Sequence, residues 1–131
     1  MGFLSVIVAG VAAFIFGAIW YGIFAKKWMA ASGVEVGADG QPANQKDPLP
    51  YIIGIVSAIL VAGMMRHAFI MGGVDTMYHG VLSGFGIGLF LATPWFATCY
   101  GFAGRPKILT VIDGGYATGG CTVIGAVLML F

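Results

Sequence analysis

The sequence predicts an all-α, polytopic membrane protein of four transmembrane helices, packed as a bundle through small-residue faces. Three observations carry that expectation. Of the 131 residues, 60% are hydrophobic and 8% charged, at a mean hydropathy of +0.97. A soluble domain this small leaves too much of its surface in water to hide so much apolar area. The apolar residues also fall into four runs, each about as long as the ~20 residues a helix needs to cross a bilayer. Finally, the chain holds 22 glycines, which suit helices in lipid, where small residues let backbones approach closely. The runs lack the alternating polarity of transmembrane strands, which argues against a β-barrel.

The elements follow in order along a single transmembrane domain, 1–131. The first span covers 3–25. No charged side chain precedes Lys26, so the basic region of a cleaved signal is missing and this segment is expected to remain as an anchor. Residues 26–50 form a polar loop carrying Glu35, Asp39, Lys46 and Asp47 among glycines and prolines. The second span covers 51–70, with Arg66 and His67 near its far end. Gly72-Gly73 is a turn, and Asp75 is placed to cap the next helix. The third span, 76–102, contains Pro94, which is expected to kink it and free a carbonyl for Thr93 or Thr98 to meet. Gly104-Arg105-Pro106-Lys107 is a short basic turn into the fourth span, 108–131.

Basic residues set the expected orientation. Lys26, Lys27, Lys46, Arg105 and Lys107 fall in the first and third connections, whereas Arg66 alone falls on the other side. Short basic loops stay in the cytoplasm. The expectation is a multi-pass protein of the bacterial inner membrane with the 26–50 loop inside and both termini outside. An internal echo joins Trp20-Tyr21-Gly22-Ile23-Phe24, before lysines, to Trp95 through Tyr100-Gly101-Phe102, before Arg105 and Lys107. Two related hairpins would produce it, but so does the general preference of Trp and Tyr for membrane interfaces, which is the simpler account.

Asp113 is the first candidate for function. An acid about one and a half turns into a span costs free energy and needs a partner or a wet cavity. Trp20 and Tyr21 lie at a similar depth in the first span, and Tyr116 is one turn beyond Asp113. Asp113, Tyr116, Trp20 and Tyr21 therefore form a candidate polar site, either a proton- or cation-accepting group or a structural hydrogen bond. A second group lies on the opposite side. Asp75 and His79 are spaced i,i+4, with His67 and several methionines nearby, which is a weak pattern for a metal such as copper(I). Methionine is also ordinary filler, and Asp75 has a cap to make, so no metal and no cofactor are expected.

Gly80, Gly84 and Gly88 recur every four residues in the third span, as Gly115 and Gly119 do in the fourth. They mark faces for tight helix packing, against this chain, a second copy or another protein. Gly84-x-Gly86-x-Gly88 is no phosphate loop, having neither a preceding strand nor a Lys-Ser/Thr pair. Cys99 and Cys121 lack metal-site spacing. Ser5, Ser57 and Ser83 have no His at local spacing. The net charge of +1, from scattered residues, gives no footprint for nucleic acid.

At Gly17-x-x-Trp20-Tyr21, Lys27-Trp28-Met29 and Asp113-Gly-Gly-Tyr116, the chain resembles a family of short, four-span bacterial integral-membrane proteins catalogued as a domain of unknown function. The resemblance implies the architecture and brings no activity. Three functions follow in order of expectation. The first is a structural or accessory subunit whose partners are the lipid bilayer and other membrane-protein subunits or copies of itself. The second is a homo-oligomeric channel or transporter for a small solute or ion using Asp113. The third is a membrane-embedded enzyme, for which the sequence offers no catalytic residues.

Overall fold

The computed structural model describes residues 2–131. It is all helical apart from its loops, with four helices long and apolar enough to cross a membrane: Phe3–Ile23, Leu49–Gly72, Met77–Phe102 and Lys107–Leu128. At about 1.5 Å per residue each reaches roughly the 30 Å of a hydrocarbon core. The chain is thus a multi-pass membrane protein with four candidate spans.

The first span, α1 (Phe3–Ile23), runs without interruption until Phe24, whose φ of −101° and ψ of 17° break the helix. The polypeptide then resumes at once as α2 (Ala25–Ser32), which ends at Gly33 in the left-handed region. This corrects the expectation of a loop from residue 26. Lys26 and Lys27 face out, while Trp28 and Met29 are half-buried and Ala31 is buried, so a short amphipathic helix forms where polarity alone suggested a loop. The guanidinium of Arg105 lies over Gly33, where an added Cβ would sit 2.7 Å from its Nη1. A cation at the C-terminal end of α2 complements the helix dipole there. Beyond Gly33 the loop is built from turns. Ala43 N–H donates to Glu35 O at 2.7 Å, Gly37 N–H to Gln41 O at 2.8 Å, and the Tyr51 hydroxyl to Gln45 O at 2.8 Å.

The second span, α3 (Leu49–Gly72), ends at Gly73 with φ of 69°, a C-terminal glycine as expected of this turn. Asp75 does not cap the next helix. Thr76 does, its hydroxyl accepting from His79 N–H at 3.2 Å, because Thr76 occupies the extended residue just before Met77. A Thr76→Ala variant is expected to lose about 1 kcal/mol, the usual worth of such a cap. The readout is the helicity midpoint as SDS is titrated into mild detergent, and an unchanged midpoint would remove the capping role.

The third span is three pieces: α4 (Met77–Gly86), a π-helical turn (Ile87–Ala92) and α5 (Thr93–Phe102). Pro94 removes a backbone donor, and the wider turn just before it absorbs the change in register. The threonines act, though not on the carbonyl four residues before Pro94. Thr93 Oγ1 lies 2.7 Å from Gly88 O and 3.2 Å from Gly114 O, able to donate to either, while Thr98 Oγ1 donates to Pro94 O at 3.0 Å.

The fourth span, α6 (Lys107–Leu128), is the most buried of the four and packs along α1 on one side and the third span on the other. The second span packs chiefly on α1, so the spans lie in the order second, first, fourth, third. The apolar core sits in the half of the bundle near the termini, where Val6, Ala9 and Ala13 meet Ala58, Ala62, Phe69, Ile124 and Leu128. The buried acid Asp113 lies in the other half, nearer the 33–48 loop.

Candidate intramembrane polar site

Asp113 lies roughly 9 Å into α6 from its first residue, at about 1.5 Å per residue. Only 7% of it is exposed. Each carboxylate oxygen accepts from a tyrosine on a different helix: Oδ1 from the Tyr21 hydroxyl of α1 at 2.5 Å, Oδ2 from the Tyr100 hydroxyl of α5. The adjacent residues extend the same seam. Trp20 Nε1–H donates to Ile112 O at 2.9 Å. Trp20 and Tyr21 are consecutive on α1, and Ile112 and Asp113 on α6, so two hydrogen bonds clip these helices together at one level. Burial of an acid at membrane depth is tolerable only with such partners.

Of the four residues that sequence reasoning singled out, the structure brings Tyr21 to Asp113 directly and Trp20 to its neighbour's carbonyl. Tyr116 joins through its ring, 5.2 Å from that of Tyr21, and closes over Gly17, where a Cβ would lie 2.5 Å from Tyr116 Cε1. Tyr100 was missed. It reads in sequence as an interfacial aromatic, and only the packing of α5 on α6 shows that it reaches the acid.

Gly80, Gly84 and Gly88 all face α6 of the same chain. An added Cβ at Gly80 would lie 2.8 Å from Gly125 O, and one at Gly88 2.7 Å from Ala117 O. At Gly115 and Gly119 the atoms nearest an added Cβ belong to the rings of Trp20 and Phe16. The second candidate group is spread over the opposite end. His79 Nδ1 is 3.0 Å from Thr76 Oγ1, and His67 is exposed. Among the described residues no three His, Cys, Asp or Glu side chains converge as a metal-holding group. Arg66 lies over the ring of Phe3, 5.5 Å from its centroid. Cys99 is exposed and Cys121 buried, both as free thiols.

Beside Asp113 opens a cleft of about 680 Å³ between α1, α2, the loop and the start of α3. Asp113, Tyr21 and Tyr116 line its deep end, Trp28 and Tyr51 its walls, and Gln45 its exposed loop side. Asp113 is the single charged side chain among the described residues of the lining. A volume of this order suits a small molecule, since ligand pockets run from about 300 to 1,000 Å³.

A family model described as "Protein of unknown function (DUF1761)" matches residues 4–129, nearly the whole chain. The chain belongs to the DUF1761 family. No curated protein and no solved structure matches it. The match to DUF1761 spans every element that builds the site, from Trp20 and Tyr21 on α1 to Tyr100 on α5 and Asp113 on α6.

Proposed function

We propose that this DUF1761 protein is a small proton-coupled carrier or channel in which Asp113 accepts the proton or cation. The observation that carries the reading is one buried acid at the deep end of a cleft, with aromatic walls and no basic residue in its lining. Intramembrane acids that face a cavity are the usual sites of proton relay and ion passage. The basic residues of the loop end support a placement with that end, and so the cleft, toward the cytoplasm of a bacterial inner membrane. Association of several copies would complete a path across the bilayer.

The test uses vesicles reconstituted with the full chain, a trapped pH-sensitive dye and a potassium diffusion potential. The wild-type protein is expected to pass protons faster than protein-free vesicles, and Asp113→Asn to fall to the protein-free rate while eluting as the same folded species. Equal rates for wild type and Asp113→Asn would end this reading.

A structural or accessory subunit is the second reading. It is supported by the third span, the least buried within the chain, where Phe90, Leu91 and Trp95 are exposed. The small-residue faces add no support to it, because Gly80, Gly84 and Gly88 are occupied inside the chain. Stoichiometric foreign subunits in the native mass of the complex would favour it, and copies of this chain alone would count against it.

A further inference from the structure

We propose that the cleft binds a small organic cation with a quaternary ammonium head, held by the Asp113 carboxylate and the rings of Tyr21, Trp28, Tyr51 and Tyr116. The proposal rests on the reading of the cleft as a solute site and names the class of solute. Charge gives the first argument. The lining carries one negative side chain and no Lys or Arg, so an anion would meet uncompensated repulsion and a cation would be drawn in. The low dielectric of the surroundings strengthens that preference.

The walls give the second argument. A bare inorganic cation needs a shell of oxygen ligands to replace its water. Here the one carboxylate already accepts from Tyr21 and Tyr100, the side-chain amides of Gln41, Asn44 and Gln45 lie on the exposed loop side, and five rings line the cleft, those of Phe14, Tyr21, Trp28, Tyr51 and Tyr116. A carboxylate has room for further contacts beyond those two, but not for a full coordination shell. A quaternary ammonium sheds its water cheaply and is attracted to ring faces, which is how aromatic cages recognise it. Three of the lining rings meet at an angle rather than in a flat stack. Tyr21 meets Trp28 at 74° with centroids 5.9 Å apart, and meets Tyr116 at 59° and 5.2 Å.

Size gives the third argument. About 680 Å³ is ample for a choline-sized molecule. The exposed side-chain amide of Gln45 on the loop side offers hydrogen bonds to a polar tail pointing away from the acid.

The experiment titrates the purified full chain in nanodiscs with choline chloride, followed by tryptophan fluorescence and calorimetry. The comparison ligand is 3,3-dimethylbutan-1-ol, which has choline's shape without its charge. Choline is expected to bind saturably, and the neutral analogue about tenfold or more weakly, in line with the worth of a desolvated cation–π contact. Trp28→Leu, at the half-buried edge of α2, is expected to weaken choline while leaving the fold intact, and Asp113→Asn to weaken it further. Equal binding of choline and its neutral analogue, or no saturable choline binding, would overturn the proposal without relying on any variant. Asp113-dependent proton flux without choline binding would overturn this inference and leave the carrier reading standing. Choline binding without flux would do the reverse.

Discussion

Gly84→Leu is expected to prevent the third span from docking on α6, leaving the chain in the membrane without its native packing. A Cβ at Gly84 would collide with the carbonyl oxygen of Cys121 and come within 3.0 Å of its carbonyl carbon and 3.2 Å of Thr122 Cα. All three contacts are backbone, so no side chain can rotate away. Relief requires the two helices to separate, and separation undoes the neighbouring contacts of Gly80 and Gly88 on the same face. Overpacking of an ordinary core site costs about 1–3 kcal/mol, and a clash that is backbone on both sides belongs at or beyond the upper end. Even Gly84→Ala is expected to lower the SDS unfolding midpoint clearly. Gly86 supplies the control. It lies on the same helix two residues on, with nothing within 4 Å of an added Cβ. There Gly→Ala removes a poor helix former and is expected to be neutral or to stabilise by up to about 1 kcal/mol. Equal midpoints for Gly84→Ala and Gly86→Ala would refute the packing described for α4 and α6.

The contrast between Gly84 and Gly86 also shows how much of the fold is legible in the sequence. Length and apolarity locate all four spans to within a few residues, because the bilayer imposes both on any helix that crosses it. The four-residue spacing of Gly80, Gly84 and Gly88 defines a face. It carries no information about which helix that face meets, since periodicity is local and partnership is not. The face left open between this chain, a second copy and another protein meets α6 of the same chain, so the failure expected of Gly84→Leu lies within the chain. Helix α2 was hidden for a different reason. Lys26 and Lys27 lower the local hydropathy, while Trp28, Met29 and Ala31 bury a face only eight residues long. The π-helical turn was hidden too, because Pro94 announces a break without saying where the extra residue is accommodated.

The site was legible in one coordinate. Depth in the bilayer can be counted along each helix from its loop, and that count placed Trp20 and Tyr21 level with Asp113. Rotation about the helix axis and the identity of neighbours cannot be counted in this way. Tyr100 lies near the loop end of the third span, at a depth compatible with Asp113, but its role depends on α5 lying against α6. Tyr116, one turn beyond Asp113, meets Tyr21 by its ring. The cleft itself depends on how the 33–48 segment folds over α1 and α3, which no periodicity encodes.

The two tyrosines that hold Asp113 make the second large effect, and it is one of coupling. In Tyr21→Phe or Tyr100→Phe, one carboxylate oxygen loses its donor while the other keeps its own. Hydrogen bonds inside membrane proteins are worth about 0.6 kcal/mol on average and up to about 1.7 kcal/mol, so each single variant is expected to fall in that range. The double variant removes both donors and strands a buried acid at membrane depth. Its cost then approaches that of an uncompensated polar group, about 2.5–3.5 kcal/mol for a carboxylate at the helix centre on insertion scales. The expected loss exceeds the sum of the singles, with a coupling of the order of 1 kcal/mol, as seen for residues sharing one network. Asp113→Asn in the same double-Phe background is expected to recover part of the loss, because an uncharged amide is cheaper to bury without donors. A double-mutant cycle on SDS unfolding midpoints measures all of these. Strict additivity, or no recovery by Asp113→Asn, would mean that the tyrosine hydroxyls are bystanders and that something else stabilises the acid. Coupling with recovery would show that α1, α5 and α6 are fastened at one carboxylate, the same group on which the proposed carrier mechanism depends. A protein that spends its one intramembrane acid on both tasks would trade helix cohesion for transport each time that carboxylate is protonated.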